Sequence, residues 1–103
     1  MNPVTLNNAT KVPFDLQGWV MHKDESIELI HLLLSPNEKL ARHSNPFDVV
    51  FYVLSGTGTL EVEAETITMS ANMCLPVKAG IDRGWTNTSN EDLRILVLKK
   101  IGG

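Results

Sequence analysis

Three histidines, one cysteine and an Arg-Gly-Trp run hold most of the side chains in this chain that can do chemistry. His43 stands two residues before Asn45. An imidazole that titrates near neutrality serves as a general base or as a lone metal ligand; the plainer alternative is a ring held by a hydrogen bond to Asn45. Arg83 carries a planar, permanently charged fork that grips a carboxylate or phosphate through two hydrogen bonds. Its structural alternative is an ion pair with Asp82, Asp48 or Glu28. Arg83 and Trp85 are two residues apart, so on a strand they share a face. Trp85 then either stacks on a ring-bearing ligand or fills a core. Gly56-Thr57-Gly58 lacks the lysine and the following helix of a phosphate loop, and reads as a hairpin turn. Cys74 is the single cysteine. It cannot form an internal disulfide, and a reducing compartment is expected.

The elements that must position these groups read as strands. At 103 residues the chain is expected to be one domain. With 43% hydrophobic and 20% charged residues it has the composition of a packed globule, not of a disordered chain. The net charge of −3 gives no basic surface for nucleic acid. No apolar stretch is long enough to span a membrane and the polar N-terminus has no secretory core, so a cytoplasmic protein is expected. Short β-type runs alternate with turn signals. Ser26–Leu34 stops at Ser35-Pro36-Asn37. Val49–Leu54 is aromatic and β-branched and ends in a Gly-rich turn. Thr59–Val62, Thr66–Met69, Met73–Leu75 (closed by Pro76), Gly84–Thr86 and Leu93–Lys99 follow. Five prolines are spread so that no long helix fits between them. Many short strands with Gly and Pro turns predict a sandwich or barrel.

Three stretches carry a family resemblance: Ser35-Pro36-Asn37; His43-Ser44-Asn45-Pro46 through Tyr52-Val53-Leu54-Ser55-Gly56; and Pro76-Val77-Lys78-Ala79-Gly80 through Trp85-Thr86-Asn87. Together they resemble the two motifs of the cupin family, over about two-thirds of the chain. The resemblance implies an all-β fold, a small double-stranded β-helix or jelly-roll barrel with a central pocket. It also implies where a metal would sit. Registered on Gly56 and Asn87, the family's ligand positions hold His43, Asn45, Val49 and Arg83. One imidazole survives; Asn offers a neutral carbonyl, Val nothing, and Arg a charge that repels a divalent ion. No metal or other cofactor is therefore expected at the family position, because a catalytic site needs about three protein ligands. Cys74 and His31 remain candidates for a metal held elsewhere.

The family register turns Val49, Phe51 and Val53 inward, with Ile30, Leu32, Ile95 and Val97, and it turns Arg83 and Trp85 inward together. The expected ligand-binding set is His43, Asn45, Phe51, Arg83 and Trp85, in an apolar cup with a few convergent polar groups. Two functions compete. One is a metal-free pocket that holds a small organic anion. The other is an enzyme: a metal-dependent dioxygenase with altered ligands, or a metal-free isomerase or lyase with His43 as its catalytic base. Residues 26–100 are expected to form the barrel, and 1–22 an irregular or swapped N-terminal segment. The apolar residues of Val4–Val20 need cover, and a second copy of the chain would supply it, so a homodimer is expected.

Overall fold

The computed structural model describes residues 1–102, and no helix forms among them. Ten strands lie in two antiparallel sheets: β1 (Thr10–Lys11), β2 (Gln17–Lys23), β3 (Glu28–Leu34), β4 (Lys39–His43), β5 (Val49–Ser55), β6 (Thr57–Val62), β7 (Glu65–Ser70), β8 (Cys74–Val77), β9 (Arg83–Thr86) and β10 (Leu93–Lys99). The larger sheet has the order β1-β2-β3-β10-β5-β8, the smaller β4-β9-β6-β7. Their facing sides form the core. Leu34, Val53, Leu60, Leu93 and Ile95 are wholly buried between them, with Phe51 and Trp85 as its largest side chains. The expected all-β jelly roll is what the chain forms.

Alternation explains which residues reach that core. In β3 it selects Ile30, Leu32 and Leu34; in β5, Val49, Phe51 and Val53; in β10, Leu93, Ile95 and Val97. Two connections make the register possible. Gly56 closes the β5–β6 turn at a φ of 84°, where a Cβ would overlap the Asp92 carbonyl, so only glycine fits. Asn87 is wholly buried. Its Nδ2 donates to the carbonyls of Leu34 and Glu91 at 2.9 and 2.7 Å, and its Oδ1 accepts from Ser89 N and Oγ. Every hydrogen-bonding position of that amide is used, which ties the end of β3 to the β9–β10 loop.

Several local expectations are corrected. The N-terminal segment is not irregular throughout: residues 17–23 form β2, paired to β3 of the same chain. A bulge between Val20 and His22 breaks the two-residue period there, which hid the strand. Val12, Leu16 and Val20 pack on the chain's own core, so much of the stretch expected to need a partner is already covered. β4 had no visible pattern because Leu40 is its one apolar inward residue and a bulge follows it. β8 continues through Pro76, which is tolerated because β8 is an edge strand with no neighbour needing that N–H.

On the outer face of the larger sheet, His31 packs edge-on against Trp19 and lies 3.1 Å from Arg94 Nη1. Arginine only donates, so His31 Nε2 must accept, and the ring is neutral with its proton on Nδ1. Burial, and then the Arg94 charge, push its pKa below the ordinary histidine value. The unfolded chain therefore binds the proton more readily. His31 contributes stability above about pH 6.5 that is lost as pH falls from there through its lowered folded value. Unfolding free energies measured between pH 7 and 5 should fall more steeply for the native chain than for His31→Gln. Equal slopes would show that His31 titrates alike in both states.

Candidate functional site

Strand β9 is the centre of the site. Arg83 and Trp85 both point inward, at 3% and 1% exposure, with Gly84 between them facing β4. A Cβ on Gly84 would approach Arg42 Cγ and the Leu40 carbonyl to 2.9 Å, so glycine lets β4 lie close enough to complete this wall. A cavity of about 100 Å³ opens beside them. Ile30, Leu32, Phe51 and Val97 of the larger sheet form its walls, with Leu40 from β4. Val12, Phe14 and Leu16, from the loop between β1 and β2, cover its mouth. Its polar side chains are Arg83, His43 and Lys99, with the indole of Trp85.

The Arg83 guanidinium has few partners. Nη1 donates to the His43 carbonyl at 3.0 Å, and the guanidinium carbon lies 5.8 Å from the Phe51 ring centre, a cation–π distance. Phe51 in turn meets Trp85 edge-to-face, centroids 5.5 Å apart. The buried Nε of Arg83 and the buried Nε1 of Trp85 have no hydrogen-bond partner among the described residues. Burial pushes the Arg83 pKa down, with Asp82 opposing it weakly from outside. None of the carboxylates expected as structural partners reaches Arg83. Asp82 binds Arg42 Nε at 2.8 Å, Asp48 accepts from the Ala79 N–H, and Glu28 lies between Lys23 and Lys99 at 3.8 and 3.6 Å.

Four of the five expected ligand-binding residues, His43, Phe51, Arg83 and Trp85, line this one cavity. Asn45 does not. β4 ends at His43, and the following loop leaves the wall, anchored where the Asn45 carbonyl accepts the Gly80 N–H at 2.8 Å. The His43 ring is held by the Ala41 carbonyl, 3.0 Å from Nδ1, not by Asn45. That bond places the proton on Nδ1 and leaves the Nε2 lone pair free. Lys99 was missed, although the period that turns Ile95 and Val97 inward reaches it two residues later. The covering loop was missed because its apolar residues were assigned to a partner.

The donor set does not fit the family's metal. Of the residues that the resemblance puts at the ligand positions, Val49 is 1% exposed and has no donor, and Arg83 is a buried cation. Among the described residues no three His, Cys, Asp or Glu side chains converge. His31 lies on the outer face, and exposed Cys74 stands opposite Tyr52 on that same face, so neither reaches the cavity. Protein purified without an affinity tag and dialysed should carry less than about one-fifth equivalent of transition metal, because a site needs about three protein ligands. Near-stoichiometric metal bound through His43 in elemental analysis would refute this.

A family model described as Cupin domain matches residues 30–99. No curated protein matches the chain. Among solved structures, an RmlC-like cupin from Shewanella frigidimarina superposes with a TM-score of 0.86 at 10% identity, over 99% of this chain and 92% of that one. The polyketide cyclase RemF from Streptomyces resistomycificus gives 0.85 at 16% identity, over 98% and 80%. TT1209 from Thermus thermophilus gives 0.82 at 22% identity, over 97% of each. At these identities the likeness is one of fold.

Proposed function

This chain belongs to the cupin family, and from that premise we propose that its central cavity binds a small organic anion without a metal. The observation that carries the reading is Arg83, a buried cation with one protein hydrogen bond and no carboxylate partner among the described residues, on the wall of a cavity whose described lining holds no carboxylate. A buried cation without a partner is costly, and an anion bound at its guanidinium removes the cost. The test is calorimetric titration of chelator-treated protein with small carboxylates and inorganic phosphate at constant ionic strength. At least one should bind; silence from all of them would reject the reading.

A second reading, metal-free acid–base catalysis, is favoured by one observation: His43 has Nδ1 engaged and Nε2 free at the cavity wall. A base positioned beside a polarising cation is enough for an isomerase or lyase. Proton exchange from the α-carbon of a bound carboxylate into deuterated water, lost in His43→Gln, would distinguish it from simple binding. The dioxygenase alternative needs ligands that the donor set does not provide. The exposed thiol of Cys74 suits the reducing conditions of the cytoplasm.

The reading includes a homodimer through the outer face of the larger sheet. That face presents Leu29, Val50, Tyr52, Leu96 and Leu98, all half-buried, beside Arg94 and His31. The smaller sheet instead presents Thr57, Thr59, Glu61, Thr66 and Thr68 outward. Antiparallel sheets with one solvated face alternate apolar and polar, as the smaller sheet does. Four seven-residue strands, each about 23 Å long and spaced about 4.8 Å, with the shorter β1 and β8 at the edges, span roughly 540 Å² before side-chain relief. That approaches the roughly 800 Å² per partner of a stable interface, and no acidic side chain interrupts it. Sedimentation equilibrium at micromolar concentration should give twice the chain mass, and Leu96→Glu one chain mass with the fold retained. One chain mass for the native sequence would refute it.

A further inference from the structure

The lining of the cavity also says which anion it suits, an inference that rests on the anion reading above. No Ser, Thr, Asn, Gln, Tyr, Asp or Glu side chain lines it. Its hydrogen-bonding side chains are Arg83, Trp85, His43 and Lys99. Lys99 already faces Glu28 at 3.6 Å, so Arg83 is the cavity's one cation without a carboxylate beside it. The opposite wall is aliphatic, Ile30, Leu32 and Val97, and Leu40 stands beside Trp85 on the near one. The space is about 100 Å³ and opens to one side, so it takes a short tail and not a long one.

We infer that the ligand is a monocarboxylate with a short, branched, apolar tail. Its carboxylate would sit against the Arg83 guanidinium, its tail against Ile30, Leu32 and Val97. The chemistry excludes the other common small anions. Hydroxyls of a sugar acid or sugar phosphate would be buried against aliphatic side chains with no acceptor side chain but His43, and each one left unpaired weakens binding on the order of tenfold. The second charge of a dicarboxylate would have to take Lys99 from Glu28. Inorganic phosphate would satisfy the donors but leave the aliphatic wall wet.

Calorimetric titration of the full chain at pH 7.5 and fixed ionic strength, with 3-methylbutanoate, acetate, gluconate, succinate and phosphate as probes, tests this. The expected order puts 3-methylbutanoate first, tenfold or more tighter than gluconate and succinate, with acetate and phosphate weaker than it. Gluconate, succinate or phosphate binding as tightly as 3-methylbutanoate would overturn the inference and leave the anion reading standing. Acetate equal to 3-methylbutanoate would show that the wall contributes nothing, and would also overturn it. No binding by any probe would overturn the anion reading itself.

Discussion

Arg83→Ala should weaken carboxylate binding in the cavity by tenfold or more, and Arg83→Lys should restore it only in part. The guanidinium is 3% exposed, and the protein supplies it one hydrogen bond, from Nη1 to the His43 carbonyl. A charge-assisted hydrogen bond contributes about 1.5–3 kcal/mol, and about 1.4 kcal/mol is tenfold in affinity. Lysine brings charge without the planar fork, so it recovers attraction but not the paired geometry. Stability separates this role from a structural one. Without ligand, Arg83 is a buried charge lacking a carboxylate, and an apolar replacement of similar length relieves desolvation. Arg83→Met should therefore unfold within a few degrees of the native chain, or above it, while losing the ligand. A marked fall in Tm with unchanged binding, read by circular dichroism and calorimetry together, would make Arg83 a structural residue.

Phe51→Ala should cost about 3–5 kcal/mol of stability, the range for a buried aromatic ring truncated in a core. Phe51 is 2% exposed on β5 and packs edge-to-face on Trp85 of the opposite sheet, so it joins the two sheets across the barrel. Truncation removes its apolar contact, leaves a void beside Trp85 and strips the ring that faces the Arg83 guanidinium. In a domain near 100 residues each kcal/mol shifts Tm by about 4–8 °C, so a fall of about 12 °C or more is expected in a thermal scan. A fall below about 4 °C would mean that the sheets do not pack through this ring.

Much of the barrel was legible because apolar and polar residues alternate with a period of two wherever one face is buried. Val49–Leu54 and Leu93–Lys99 were legible as strands from their β-branched and aromatic content, and the family register chose which of their faces turns inward. Arg83 and Trp85 were legible as a pair for the same reason: two residues apart on a strand, they share a face whatever the turns do. β2 and β4 were not legible, because a bulge shifts the period by one residue and erases the pattern it is read from.

What the sequence determined by itself was therefore local: strand periodicity and the turn glycine at 56. What the tertiary structure decided was which distant groups meet. Asn45 follows His43 by two residues, yet the loop that begins after β4 carries it out of the wall. Lys99 is fifty-six residues from His43 in the chain and lines the same cavity, because β10 pairs with β3 and so carries its end past Glu28. The absence of any carboxylate partner for Arg83 is likewise a tertiary fact. Asp82, Asp48 and Glu28 are all near enough in sequence logic to pair with it. Strand alternation and competing cations, Arg42, Lys78 and Lys99, draw each of them elsewhere.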